Sequence, residues 1–274
     1  MTNLKTIDTL VEDIYDLFRG KKEVSAENVA VFSAKLAEKI AGKISRERSK
    51  TNLRMSNAGT PDRKLWYEVN KPELAEALDP AAQIKYLFGD ILEELLLFLA
   101  KEAGHTVTDE QREVEINGVK GHIDCFVDGV LLDCKSSSPA GMAKFRDHRL
   151  EHDDVFGYLT QLRLYGSAVG ADLGAFLAID KSQGHIVLDK YRILNKDWEA
   201  EIERKREMLK GEMPERCFSD VSEGASGARK LGLNCSYCAF KKHCWPGLKI
   251  AFYSNKPVFF TKTSPKMRVK VEDV

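Results

Sequence analysis

Residues 121–138 read GHIDCFVDGVLLDCKSSS, and the Asp128-Gly129 pair between two apolar runs constrains the fold more than any other stretch. An Asp-Gly step in this setting is the strongest short-range signal for a two-residue hairpin turn, because both positions accept positive φ. With those residues as the loop, Val127 faces Val130, Asp124 faces Asp133, and His122 faces Lys135. Both carboxylates and the lysine then share one face. Ile123, Cys125, Val127, Val130, Leu132 and Cys134 make the other, an apolar face on which Cys125 and Cys134 are expected as buried structural thiols.

Two ionised carboxylates about 5 Å apart repel by roughly 3 kcal/mol at an effective dielectric near 20. A hard divalent cation compensates, since Mg²⁺ or Mn²⁺ takes carboxylate oxygens, keeps several waters and meets substrate phosphate. The alternative is an exposed hairpin face on which Lys135 simply pairs with Asp133.

Elsewhere the pattern alternates helix and strand. Leu10, Ile14, Leu17 and Phe18 share a helical face, as do Val29, Phe32, Leu36 and Ile40, so residues 1–55 read as a helical N-terminal region. A basic stretch follows, Lys43, Arg46, Arg48, Lys50 and Arg54, suited to solvated surface or to DNA-backbone contact. From Asp79-Pro80 a long helix is expected to about Ala103, ended by Gly104, with Ile84, Leu87, Phe88, Ile91, Leu95 and Leu99 facing inward. Strands are expected at about 105–116, 121–127 and 130–135, a helix at 153–169, strands at 174–180 and 185–192, and a helix at 196–210 begun by Asn195. That order implies an α/β fold with a central mixed β-sheet flanked by helices. The division expected is 1–55, a core over 56–215, and a cysteine-bearing segment over 216–274.

Cys235, Cys238 and Cys244 bunch near the C-terminus, with Cys217 upstream. Cys-x2-Cys followed by a third cysteine is a strong zinc or iron–sulfur signal. The chain has 274 residues, and Lys plus Arg balance Asp plus Glu at 42 each, so any nucleic-acid contact must come from local basic patches. No apolar run is long enough to span a membrane, and the acidic N-terminus lacks the pattern of a secretory signal. A cytoplasmic location is the default expectation, and in a reducing compartment the cysteines serve as core or metal ligands rather than as disulfides.

Asp124 followed by Asp133-Cys134-Lys135 resembles the PD-(D/E)XK nucleases, with aspartate replacing the commoner glutamate at 133. Gln161-Leu162-Arg163-Leu164-Tyr165 resembles the Gln-xxx-Tyr signature of the RecB-type and lambda-exonuclease-like branch. Gly89-Asp90-Ile91-Leu92-Glu93 resembles that branch's Gly-xxx-Glu motif. Glu93 also lies about 180° around the helix from Ile84, away from the main apolar stripe. The C-terminal cysteines are similar to those of RecB-type nucleases, AddB-type and CRISPR-adaptation exonucleases among them, in which one cysteine before the core joins three after it around a 4Fe–4S cluster. Arg63-Lys64-Leu65-Trp66-Tyr67 matches the segment that follows the upstream cysteine there, but Thr60-Pro61-Asp62 stands in the cysteine's place.

The resemblance implies a restriction-endonuclease-like core. It also implies Mg²⁺ or Mn²⁺ held by Glu93, Asp124, Asp133 and the Cys134 carbonyl, with Lys135, Gln161 and Tyr165 completing the catalytic set. Its substrate would be DNA, single-stranded or with free ends, cleaved by exonuclease action in DNA processing, recombination or repair. Arg63, Lys64, Trp66 and Tyr67 would offer charge and stacking surfaces to DNA. Cys217 is a candidate fourth thiolate beside Cys235, Cys238 and Cys244, in a site that suits zinc as readily as a cluster, with Asp62 or His243 as alternatives. The competing functional expectation is a catalytically silent DNA-binding or assembly module on the same scaffold.

Overall fold

In a computed structural model of the chain, residues 5–45, 51–194, 196–253, 256–267 and 270–273 are described. Two compact units emerge: one comprises 1–49, 54–59 and 79–202, and the other 50–53, 60–78 and 203–274. In chain order the elements begin with α1 (Leu10–Asp16), α2 (Ala26–Ser45), α3 (Asp62–Asn70) and α4 (Pro80–Glu102). Then come β1 (Val107–Thr108), β2 (Glu113–Ile116), β3 (Val119–His122), β4 (Cys125–Val127) and β5 (Val130–Ser137). The first unit closes with α5 (Pro139–Arg146), α6 (Tyr158–Val169), β6 (Leu173–Asp180) and β7 (Ile186–Arg192), and α7 (Trp198–Lys210) starts in it. The second unit continues with β8 (Val221–Glu223), β9 (Ala228–Lys230), α8 (Leu233–Ser236) and α9 (Lys241–Cys244). Its last strands are β10 (Lys249–Tyr253), β11 (Lys256–Lys262) and β12 (Glu272–Asp273).

The first unit is built on a mixed five-stranded sheet in the order β1-β4-β5-β6-β7, with β5 and β6 parallel and the other neighbours antiparallel. One face of it, Cys125, Val127, Leu132, Cys134, Ala175 and Leu177, packs against α1 and α4 through Leu10, Ile14, Leu96 and Ala100. The opposite face carries Leu131, Asp133, Phe176 and Tyr191 and meets α5 through Phe145. Helices therefore cover both faces, as the alternating pattern implies. Cys125 and Cys134 are buried, and burial pushes both thiols well above the ordinary cysteine range. None of the described helices is long and apolar enough to cross a membrane.

The α4 cap forms as expected, the Asp79 carboxylate accepting the Ala81 amide at 3.1 Å. Its apolar face is placed differently. Ile84 is 52 % and Phe88 47 % exposed, because the first turns of α4 run past the core, which begins to bury the helix at Glu94, Leu96 and Leu97. Phe18 is likewise exposed, whereas Leu10 and Ile14 are fully buried.

The strand expected over 105–116 breaks at Asp109 and Gln111, both at positive φ, into β1 and β2. β2 then pairs with β3 in a separate hairpin, turned by Asn117-Gly118 with both residues at positive φ. Asn-Gly is the same turn chemistry as Asp128-Gly129. Helix α5 lies where only a connection is expected, opened by Ser138, whose hydroxyl accepts the Gly141 amide, with Pro139 at the first turn. Asn195, Arg46, Arg48 and Lys50 lie outside the described residues. α7 begins at Trp198, with the Asp197 carboxylate accepting the Ala200 amide at 2.9 Å.

The second unit is richer in strand than a cysteine segment with a tail implies. Its sheet runs β12-β10-β11-β9-β8, all antiparallel, around Ala228, Ala251 and Phe260. Asp62 at the start of α3 pairs with Arg204 and Lys205, and Lys205 also donates to the Thr60 carbonyl at 2.9 Å.

Candidate active site

The Asp128-Gly129 turn has φ of 49° and 81°, and β4 and β5 pair in the register Val127↔Val130, Phe126↔Leu131, Cys125↔Leu132. The ladder stops there, one pair short of Asp124 and Asp133. Ile123 and Asp124 leave strand geometry, the Ile123 amide bonding to the Arg112 carbonyl and the Asp124 carbonyl accepting from Gln111. His122 consequently sits in β3 opposite Glu113 and does not face Lys135. Asp124 gains from the break, because its carboxylate swings to accept the Cys134 amide at 2.7 Å.

Asp133 lies on the parallel β5–β6 ladder opposite Phe176 and is 2 % exposed. Its Oδ2 meets the Lys135 ammonium in an ion pair, and neither carboxylate oxygen receives a hydrogen bond from any other described group. The alternative of a solvated surface pair is thereby replaced by a buried one, for which desolvation is costly unless further partners satisfy the charge. Burial pushes the Asp124 carboxyl well above the usual range, and Asp133 and Glu93 add to it. Burial likewise raises Asp133 against the pull of Lys135. For Lys135 burial works against the ammonium, yet Asp133 and Asp124 outweigh it and raise its pKa.

Glu93 comes from α4. Its carboxylate accepts from Lys39 of α2 at 3.2 Å and from the Gln111 side chain at 2.8 Å, and burial raises its pKa with Glu94 and Asp133 contributing. Glu94, the more buried of the two, pairs with Lys39 at 3.3 Å. Lys35, Lys39 and Lys43, spaced one turn apart, all turn toward acidic partners, Lys43 meeting Asp90 at 2.8 Å. The i, i+4 lysine stripe is the one sequence signal for Lys39 as a site residue, and Gln111 has none.

On α6, Gln161 and Tyr165 share a side, with the Gln161 amide 3.4 Å from the Tyr165 hydroxyl. Burial pushes the Tyr165 pKa up to about 12, and Asp133 and Asp124 add to the shift. Tyr165 packs where β3 has no side chain: a Cβ on Gly121 would lie 2.6 Å from its ring and 2.8 Å from Met55. Tyr158, also unforeseen, carries the Lys135 ammonium 5.2 Å from its ring centre. Asp124, Asp133, Lys135, Glu93, Gln161 and Tyr165 thus all belong to one region of the first unit. The acidic groups are not closed into a cage, and among the described residues no three His, Cys, Asp or Glu side chains stand together as a ready-made metal set.

The second unit holds the other candidate site. Cys217, Cys235, Cys238 and Cys244 line one cavity with Lys64, Arg216, Lys241, Phe240 and Trp245. Burial raises the Cys235 thiol to about 11, with Cys238, Cys244 and Cys217 adding to it. Asp62, held by Arg204 and Lys205, is committed elsewhere. Arg63 donates to the Pro214 carbonyl at 2.9 Å and Trp66 to the Gly211 carbonyl at 3.1 Å. Tyr67 is buried and stacked on Phe240 at 5.1 Å, so the face expected to meet a DNA base is taken up by this unit's own packing. Lys64 faces Glu68 at 3.7 Å.

No family model and no curated protein matches the sequence. Among solved structures, SSO0001 is similar over 78 % of this chain and 96 % of its own, at 19 % identity and a TM-score of 0.45. LHK-Exo in complex with dAMP is similar over 65 % and 87 %, at 16 % identity and a TM-score of 0.33. A phage-related exonuclease from Haemophilus somnus 129PT is similar over 59 % and 92 %, at 13 % identity and a TM-score of 0.37. All three scores lie below 0.5, and what the site can do is read from its own residues.

Proposed function

We propose that this chain is a divalent-metal-dependent DNA nuclease of the PD-(D/E)XK kind, an exonuclease that hydrolyses phosphodiester bonds at DNA ends or in single strands. The observation that carries the reading is the buried Asp133 of the central sheet, whose Oδ1 has no donor and whose Oδ2 has only Lys135 among the described residues, set near Asp124 and Glu93. Three carboxylates raised by burial, Asp124 and Glu93 also by their acidic neighbours, beside a single lysine, form a donor set that a hard cation relieves. Asp124, Asp133, Glu93 and the Cys134 carbonyl would hold Mg²⁺ or Mn²⁺. Such an ion lowers the pKa of bound water and neutralises phosphate charge.

Lys135, held cationic by its two aspartates, orients the attacking water and offsets charge developing on the phosphate. The Cys134 amide fixes the Asp124 carboxylate, and Lys39 and Gln111 fix Glu93. The Tyr165 hydroxyl stays protonated at neutral pH, so with Gln161 it serves as a donor that positions Lys135 or a phosphate oxygen.

We also propose that Cys217, Cys235, Cys238 and Cys244 hold a 4Fe–4S cluster or Zn²⁺ in a structural role. Four thiols on one partly apolar cavity, with Lys64, Arg216 and Lys241 to offset the charge of thiolates, support that assignment. An absorption band near about 400 nm in anaerobically purified protein distinguishes the cluster from colourless zinc.

The test is cleavage of labelled single- and double-stranded DNA with Mn²⁺ or Mg²⁺. Wild type is expected to release nucleotides from ends, and the near-isosteric Asp133→Asn and Asp124→Asn variants to lose activity while remaining folded. DNA left intact by wild type with either ion defeats the proposal.

A further inference from the structure

A row of aromatic rings leads from the core of the first unit to its surface beside the candidate catalytic lysine. Phe145 meets Phe176 edge-on at 5.6 Å and lies nearly parallel to Tyr158 at 6.2 Å. Tyr158 carries the Lys135 ammonium 5.2 Å from its centre and stacks outward on Phe156 at 5.4 Å and 28°. Phe156 ends the row with 65 % of its surface in solvent.

That exposure is built in by the backbone. Two residues before Phe156, the Asp154 carboxylate caps α6 by accepting the Tyr158 and Leu159 amides at 2.9 and 2.8 Å. Directly after it, Gly157 has a φ of 75° and lies so close to Gly59 that a Cβ would fall 2.6 Å from the Gly59 backbone. The Asp153 carbonyl is held in turn by the Lys144 ammonium at 3.1 Å. The ring is presented by a fixed frame, stacked on Tyr158 and with most of its surface in solvent.

We propose that Phe156 is a base-stacking residue that seats an unpaired nucleobase of the DNA strand next to the catalytic centre. The inference rests on the nuclease reading above and specifies its substrate as a single strand or frayed end. Two ring steps place Phe156 within about 11 Å of the Lys135 ammonium, a span that a base and an adjacent phosphate of one strand can bridge. Bases inside a duplex are already stacked on their neighbours, so a bare ring gains only from a base that has lost them. Every base has a π-face, so the contact is sequence-tolerant.

The experiment measures, by fluorescence anisotropy in EDTA, the binding of fluorescein-labelled oligodeoxythymidine and of an abasic oligonucleotide of equal length. Phe156→Ala is expected to weaken oligodeoxythymidine binding about 5- to 150-fold, the range of one lost base–aromatic stack. Binding of the abasic strand should be unchanged, and Phe156→Trp should restore the loss. Equal affinity of wild type and Phe156→Ala for oligodeoxythymidine overturns the stacking role, as does an equal loss on both strands. Wild type that binds neither strand and cleaves no DNA with Mn²⁺ overturns the nuclease reading as well.

Discussion

Replacing Lys135 by methionine isolates the buried charge at the centre of the site. Asp133 is 2 % exposed and, among the described residues, has no donor but the Lys135 ammonium, so the variant leaves a buried carboxylate in the sheet without its cation. The carboxyl can escape by taking up a proton. From an ordinary pKa near 3.9, protonation at pH 7 costs about 4 kcal/mol, at about 1.4 kcal/mol per pH unit, which agrees with the roughly 3–5 kcal/mol found when one partner of a buried pair is removed. At pH 5 the same step costs only about 1.5 kcal/mol. Urea denaturation followed by circular dichroism should therefore show Lys135→Met destabilised by about 4 kcal/mol at pH 7 and by much less at pH 5. Asp133→Asn/Lys135→Met should regain part of the loss, because the buried charge then left is that of Asp124, which keeps the Cys134 amide. The reasoning fails if Lys135→Met is as stable as wild type at pH 7, or if its deficit is the same at both pH values.

Gly121→Ala should cost about 1–3 kcal/mol and lower turnover, because the new methyl meets the Tyr165 ring at 2.6 Å; an unchanged urea midpoint would show that the packing yields instead. His105, whose side chain is fully buried, bridges Asp128 at 2.7 Å and Asp13 at 3.1 Å, so His105→Ala should lower stability by about 3 kcal/mol in the same assay. Arg204 and then Lys205 hold the Asp62 carboxyl below its usual range, against some desolvation. Its contribution is present above the unfolded carboxylate pKa and disappears as pH falls through the lower folded value, so Asp62→Asn should flatten the acid side of the pH–stability profile. Cys235→Ser should abolish bound iron or zinc in elemental analysis, and a variant that retains full metal would remove Cys235 from the ligand set.

Local chemistry made several features readable in advance. Asp128-Gly129 dictates its turn and with it the register from Val127↔Val130 to Cys125↔Leu132, since only that pairing buries Cys125 and Leu132 on one face. Asp79-Pro80 starts α4 and Gly104 ends it, because cap and breaker act within one helical turn. The alternation of helix and strand likewise implied the mixed α/β sheet. What lay beyond reach was where a strand changes partner. Asn117-Gly118 is a local signal that β2 and β3 pair, but nothing local sets where that hairpin ends and leaves Asp124 free to accept the Cys134 amide; that break depends on Arg112 and Gln111 claiming the backbone of Ile123 and Asp124. Burial was equally non-local. Ile84 and Phe88 carry the same apolar signal as Leu96 and Leu99, yet among the described residues the packed core meets α4 only further along, which leaves them largely in solvent. Sequence determined the turns, caps and periodicities, whose energies are set by adjacent residues. Tertiary structure decided how far Asp133 is desolvated and that Lys39 and Gln111 hold Glu93, because those depend on groups far apart in the chain.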